Sequence, residues 1–396
     1  MKFGSATIAF LTCVVAGCGG GSGAGFTAGG GGSGNVQPLS VNSGPNNDYA
    51  NGLFTAVTIC IPGSSTCQTV NDVLVDTGSV GLRILGSALN VSLPGQTDST
   101  GGKIAECTVF VDGYSWGPVA TADVQIAGEV ADSLPIQVII GASDSPSVPA
   151  ACSNGAGQAV NTLSTLGANG ILGIGLFAQD CGSGCAASRG PGIYFACNSS
   201  SVCSSTTEGL QDQVQNPVAM FAADNNGVLI QLPAIDANGA GNVSGSLIFG
   251  IGTQGNNGLG GAVVLPTSAA GNITTNFNGS VLFSSFVDSG SNALFFHSST
   301  IPPCSSSAAF YCPASTLALS ASMGGQNGAS VVVPFSVANA DSLFSTSNAA
   351  FDNLAGGSAL SGSFDWGMPF FYGRSVFFAI EGVSTPGGSG PYVAFH

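Results

Sequence analysis

Two stretches in opposite halves of the chain read almost alike: Val73-Leu74-Val75-Asp76-Thr77-Gly78-Ser79 and Ser285-Phe286-Val287-Asp288-Ser289-Gly290-Ser291. In each, an apolar run rich in β-branched or aromatic residues leads into Asp-(Thr/Ser)-Gly-Ser, and such a run predicts a buried strand. The glycine two residues after each Asp allows a tight turn or a close backbone approach that a side chain would block. Each Asp is therefore expected at the end of a buried strand, held on a rigid platform. Two such platforms predict two carboxyl groups brought face to face. Like charges about 3 Å apart resist ionising together, so a facing pair holds one proton between its members. The ionised member can take a proton from water, and the protonated member can hydrogen-bond a carbonyl oxygen. That is general acid–base hydrolysis, which needs neither metal nor cofactor. Thr77, Gly78, Ser79, Ser289, Gly290 and Ser291 are the residues expected to surround and orient the two carboxylates.

A chain of 396 residues is longer than one core usually serves, so two domains or two lobes are expected. Short apolar runs alternate with Gly/Ser/Asn turns and few amphipathic helical patterns occur, which predicts an all-β chain. Charged residues make up only 6%, against about a quarter in ordinary domains. The net charge is −15 with only five Lys plus Arg, which excludes nucleic acid as a partner because phosphate contacts need basic residues. So few cations also mean few ion pairs to lose when carboxylates protonate, and the fold is expected to tolerate acid.

Residues 1–17 read as a secretory signal, with Lys2 as its positive end and a short apolar run too short to span a bilayer. The run ends Val15-Ala16-Gly17-Cys18, which resembles a bacterial lipobox with Cys18 as the lipidated first residue of the mature chain. A Gly-rich tether follows over residues 18–35. Gly rather than Asp at position 19 points to the outer membrane, so the expected location is the bacterial cell envelope, with contact to the membrane through a lipid anchor. Of the twelve cysteines, Cys13 and Cys18 belong to this segment, leaving ten for disulfides in an exported chain. Cys60/Cys67, Cys197/Cys203 and Cys304/Cys312 are close enough in sequence to staple local loops. Cys181 and Cys185 either pair locally or nest with Cys197 and Cys203, and Cys107 and Cys152 are left for each other. A zinc site is not expected, since there is no C-x-x-C pair and the histidines are His297 and His396 alone.

The paired Asp loops resemble those of the pepsin-like aspartic peptidases, whose two lobes each contribute one Asp from a D-[ST]-G-[ST] loop. The chain otherwise looks similar to uncharacterised proteobacterial lipoproteins. The peptidase resemblance implies an all-β, bilobal fold of two pseudo-symmetric lobes with a cleft between them, placed here at residues 36–253 and 254–396. It implies Asp76 and Asp288 as catalytic residues, an extended peptide or unfolded protein as substrate, and a monomer. Asn169-Gly170-Ile171-Leu172-Gly173-Ile174-Gly175 resembles the family's element that crosses beneath the first catalytic loop. Gly245 to Gly250 resembles a strand of the sheet joining the lobes. Phe364 to Phe378 and Pro391 to Phe395 resemble the family's last blocks.

The hairpin that covers the cleft, the flap, is expected around Phe110 to Pro118, with Phe110, Tyr114 and Trp116 as its candidate residues. Thr108–Gly113 and Ala122–Gly128 are expected to pair as a hairpin there, Gln211–Met220 to form a short helix limited by Pro217, and Ser320–Phe335 to hold a hairpin. The chain departs from the family pattern at four places: Gly81 and Arg83 stand where Asn and Trp are usual, Phe110 where the flap Tyr is usual, and Asp365 where an apolar residue is usual. A buried Arg83 needs a partner. A carboxylate or an aromatic ring is expected there, with Tyr114 and Trp116 as local candidates. The alternative function is a catalytically weak or inactive pepsin-like protein that binds rather than cleaves. A Gly/Ser-rich adhesin or structural lipoprotein would fit the composition but explain neither Asp loop.

Overall fold

The computed structural model of the chain describes residues 34–396, apart from 112, 142 and 359. The signal segment, Cys18 and the tether as far as residue 33 lie outside the described residues. The chain is nearly all β, as its short apolar runs and turn residues predict.

The run Val73-Leu74-Val75 is buried throughout because it sits between two layers. Alternate side chains point to opposite faces of a strand. Thus Val73 and Val75 join the large central core, while Leu74 joins a smaller cluster with Phe54, Leu85 and Phe110. Such a strand has no polar face, which is why its sequence reads as a continuous apolar run.

Six strands form the spine of the molecule, in the order Val36–Asn42, Val243–Phe249, Gly227–Leu232, Arg374–Ala379, Tyr392–Phe395 and Val263–Pro266. All the neighbours in this series run antiparallel. The sheet thus interleaves strands from both halves of the chain and ties the two lobes together. It continues through Gly52–Cys60, Cys67–Asp76, Gly170–Ile174 and Val80–Leu85 into the rest of the first lobe. The second lobe adds a seven-stranded sheet built around Ser280–Val287, with the hairpin Leu317–Gly324/Ser330–Val337 at its edge. Its core is aromatic: Phe364 stacks on Phe296 at 4.9 Å and on Trp366 at 4.3 Å, in contacts that add to the burial itself.

Two local expectations are corrected. Ala122–Gly128 does not pair with Thr108–Gly113. The hairpin is Lys103–Val109 with the start of Gly113–Ile126, and the end of that long strand turns at Ala127-Gly128 to pair with Glu129–Ile139. Residues 211–220 form no α-helix: only Pro217–Met220 makes a 3-10 turn, capped by the Asn216 side chain. Pro217 opens that turn, where its missing N–H costs nothing.

All ten cysteines among the described residues are paired: Cys60–Cys67, Cys107–Cys152, Cys181–Cys185, Cys197–Cys203 and Cys304–Cys312. Cys181 and Cys185 pair locally, which resolves the alternative left open by their spacing. Disulfides at this density belong to an exported or extracellular chain.

Candidate active site

Asp76 ends the strand Cys67–Asp76, and Asp288 directly follows Ser280–Val287. Each loop is threaded by a crossing strand in the same way. Gly170–Ile174 runs parallel to the strand before Asp76, with Asp76 opposite Gly173, and antiparallel to Val80–Leu85 after it. Asp365–Trp366 runs parallel to the strand before Asp288, with Val287 opposite Trp366, and antiparallel to Leu294–Phe295 after it. The two loops are therefore pseudo-symmetric in pairing as well as in sequence.

The hydrogen bonds repeat the symmetry. The amide of Gly78 donates to Asp76 Oδ1 and that of Gly290 to Asp288 Oδ1, each at 2.8 Å. Ser79 Oγ donates to Asp76 Oδ2 at 2.5 Å, and Ser291 Oγ lies 2.9 Å from Asp288 Oδ2. Across the pseudo-axis the amide of Thr77 donates to Ser289 Oγ at 3.1 Å, and the amide of Ser289 donates to Thr77 Oγ1 at 2.9 Å. The Ser289 hydroxyl passes its own proton to the Val75 carbonyl at 2.8 Å, and that of Thr77 reaches the Val287 carbonyl at 3.4 Å.

The glycines have a steric reason. A Cβ on Gly78 would lie 2.6 Å from the Asp288 carboxyl carbon, and one on Gly290 would lie 2.6 Å from Asp76 Oδ1. Each carboxyl thus rests on the backbone of the opposite loop, which brings Asp76 and Asp288 together. Both are fully buried. Burial first, and then the neighbouring Asp288, push the Asp76 carboxyl up to about 8; the Ser79 hydroxyl opposes this, while a hydrogen bond with Asp288 adds to it. At neutral pH Asp76 therefore holds a proton beside Asp288, the asymmetric state that general acid–base work requires. A cavity of about 210 Å³ opens beside Gly78 and Ser79, walled by Leu176, Phe177, Phe286 and Leu360.

The three flap candidates occupy the first lobe. Phe110 lies at the turn of the Lys103–Val109/Gly113–Ile126 hairpin, its amide bonded to the Gly113 carbonyl at 2.7 Å, and its ring is buried in one cluster with Phe54, Leu74 and Ile171. Tyr114 packs against the cluster around Cys107, Cys152 and Phe195, and Trp116 is inside it. The Trp116 indole donates to the Pro146 carbonyl at 2.8 Å.

Arg83 is buried and paired with carboxylates rather than with the local aromatic candidates: it meets Glu106 at 2.5 Å and Asp180 at 3.4 Å. It also donates to Val80 O at 2.6 Å and Thr108 Oγ1 at 2.9 Å. Tyr194 completes the group by donating to Asp180 Oδ1 at 2.7 Å. Glu106 and Thr108 belong to the Lys103–Val109/Gly113–Ile126 hairpin, and Val80 opens the strand just after the Asp76 loop. The network therefore ties that hairpin to the Asp76 loop. Position 83 announced a need for a partner, but nothing local pointed to Glu106 or Asp180.

Two further groups at the site carry no local signal of their role. Asn51 donates to the carbonyls of Asn292 and Phe351 at 2.8 and 2.9 Å, and accepts from the Phe351 amide and the Tyr372 hydroxyl at 2.7 and 2.8 Å. It thus links the first lobe to the residue following the Asp288 loop. Asp365, noted in the sequence only as a charge in an apolar place, is fully buried and 2.8 Å from the Ser291 hydroxyl. Among the described residues the grouping suited to a metal is Cys304, Cys312 and Asp341, and its two sulfurs are joined in a disulfide.

A family model described as a protein of unknown function (DUF3443) matches residues 31–395. No curated protein matches the chain significantly. Among solved structures the chain is similar to an aspartic proteinase from Irpex lacteus. The TM-score is 0.50 at 14% identity, over 91% of this chain and 96% of that one. At that identity the likeness shows the fold, which is a bilobal pepsin-like one.

Proposed function

The chain belongs to this DUF3443 family, and we propose that it is an aspartic endopeptidase in which Asp76 and Asp288 together activate a water molecule. The observation that carries the reading is the crossed packing of each carboxyl on the opposite loop's glycine, with Asp76 pushed up to about 8 beside its partner. Asp288 acts as the base that takes a proton from the attacking water. Asp76 donates a hydrogen bond to the scissile carbonyl and then its proton to the product. The substrate is an extended peptide or unfolded protein lying in the cleft between the lobes, with apolar side chains accommodated beside Phe286 and Leu360. Ser79 and Ser291, with the amides of Gly78 and Gly290, orient the carboxylates.

A second reading has one observation in its favour. Phe110 carries no hydroxyl at the flap and is buried in the first lobe, which suits a slow enzyme or a binding protein. One experiment separates the two: purified protein is assayed on a denatured protein substrate with and without pepstatin, beside Asp76→Asn and Asp288→Asn. Cleavage that pepstatin blocks and either substitution abolishes supports the enzyme. Activity that survives either substitution would falsify the two-Asp mechanism. Tight peptide binding without cleavage would favour the binding protein.

The location proposed is the cell envelope, through lipid on Cys18. The Val15-Ala16-Gly17-Cys18 run, the Gly-rich tether and the five disulfides support this reading. Cys18→Ser should release the protein from membranes or leave it unprocessed. A mature N-terminus at another residue, without acyl mass, would end the idea.

A further inference from the structure

Asp365 breaks the pseudo-symmetry of the site. In register, Phe286 faces Asp365 as Leu74 faces Ile171, so the first-lobe counterpart of this carboxyl is a buried aliphatic side chain. The hydroxyl counterparts differ accordingly. Ser79 bonds Asp76, whereas Ser291 Oγ lies 2.9 Å from Asp288 Oδ2 and 2.8 Å from Asp365 Oδ2. A hydroxyl has one proton and two lone pairs. Ser291 can therefore donate to only one of these carboxyl oxygens, and at the other the proton must come from the carboxyl.

We propose that Asp365 is a positioning residue that holds a proton, donates it as a hydrogen bond to Ser291, and so commits the Ser291 hydroxyl proton to Asp288. Asp288 is thereby made the ionised member of the pair and Asp76 the protonated one. The inference rests on the reading of Asp76 and Asp288 as a working pair. Three carboxyls then share two protons, one on Asp365 and one on Asp76.

The surroundings favour this distribution. The two strands paired with Asp365–Trp366, Ser280–Val287 and Leu294–Phe295, contain no ionisable residue. Asp288 faces it through Ser291 and Asp76 lies beyond, both acidic; Asp352 and Arg374 line a cavity on the Trp366 side. A second negative charge, buried one hydroxyl away from Asp288, is disfavoured both by desolvation and by repulsion. The reverse arrangement would place the charge on Asp365 and a proton on Asp288. With Asp76 also held protonated by burial, no base would remain for the water.

The test begins with protein carrying 13C-labelled Asp carboxyls. The resonance missing in Asp365→Asn should, in the unsubstituted protein, remain that of a protonated acid up to neutral pH. If that carboxyl ionises in the ordinary Asp range, the proposal is overturned whether or not the protein cleaves anything. In cleavage assays Asp365→Leu should lower kcat roughly ten- to a hundredfold, with KM little changed and the acid limb of the pH profile moved upward. Asp365→Asn, whose amide donates to Ser291 in the same sense, should recover most of that loss. Equal impairment of both variants would overturn the proposal, because an ionised Asp365 would then be what the site needs. No cleavage by any form, together with a protonated Asp365 resonance, would sink the peptidase reading while supporting the protonation of Asp365.

Discussion

Thr77 and Ser289 each donate a backbone amide to the other's side-chain hydroxyl, at 3.1 and 2.9 Å, so the two Asp loops are locked to one another as well as each to its own lobe. Ser289→Ala removes the acceptor of the Thr77 amide and the donor to the Val75 carbonyl. Each buried group left unpaired costs about 1–3 kcal/mol. The unfolding midpoint should fall by several degrees and the cleavage rate should fall with it. Ser289→Thr, which keeps the hydroxyl, should fall less. An unchanged melting curve for Ser289→Ala would show that the crossed bonds contribute nothing.

Asn51 is the second tie between the lobes. Its side chain makes four hydrogen bonds, all to groups beyond residue 290 in the chain, while its backbone sits at φ +57°. Asn tolerates this left-handed conformation better than most residues. Asn51→Ala should strand the carbonyls of Asn292 and Phe351 at about 1–3 kcal/mol for each buried group. Asn51→Gly relieves the backbone but loses the same bonds, so it should be destabilised too, by less than Ala. Denaturant unfolding of the two variants checks the order.

Arg83 is held by two buried carboxylates from different elements. Removing one partner of a buried ion pair costs about 3–5 kcal/mol, because the charge left behind is uncompensated. Arg83→Met should therefore destabilise strongly. The family-like replacement of Arg83→Trp together with Phe110→Tyr should lower stability and activity rather than raise kcat/KM. A gain in kcat/KM would show instead that the hairpin is weakened by lacking the usual Trp and Tyr.

The protein should be more stable in acid than in weak base. Asp76 is raised from 3.8 to about 8 by burial and by Asp288, and burial followed by the Glu106 carboxylate holds Asp180 well above the usual range. For such groups the folded state binds more protons than the unfolded state between the two values. Stability is thus complete below the unfolded pKa and is lost as pH rises through the folded one. Melting temperatures should decline from about pH 4 towards pH 8, the window over which Asp76 shifts. Asp76→Asn, neutral at every pH, should flatten part of that decline. A midpoint that rises over this range, or an unchanged slope in the variant, would contradict the assignment.

Those parts of the molecule whose cause is local were legible in the chain. A β-branched run before Asp-(Thr/Ser)-Gly-Ser reads as a buried strand ending in a turn, because side-chain alternation and glycine's freedom are properties of a few consecutive residues. The same holds for the hairpin Leu317–Gly324/Ser330–Val337 and for Cys60–Cys67, whose partners are near in sequence. The repetition of the Asp motif in two halves suggested a pseudo-two-fold arrangement, and the short apolar runs between Gly/Ser/Asn turns suggested an all-β chain.

What the tertiary structure alone decided is the fate of the buried charges. Arg83 meets Glu106 and Asp180, which stand 23 and 97 residues away, and Asp365 reaches Ser291 across 74 residues. Whether a charge can be buried depends on the polar atoms that other segments bring to within about 3 Å of it. Hydrophobic periodicity registers only which face of a strand turns inward. It was the departure from the family pattern that marked positions 83 and 365 as out of place, and the packing of distant strands supplied their partners.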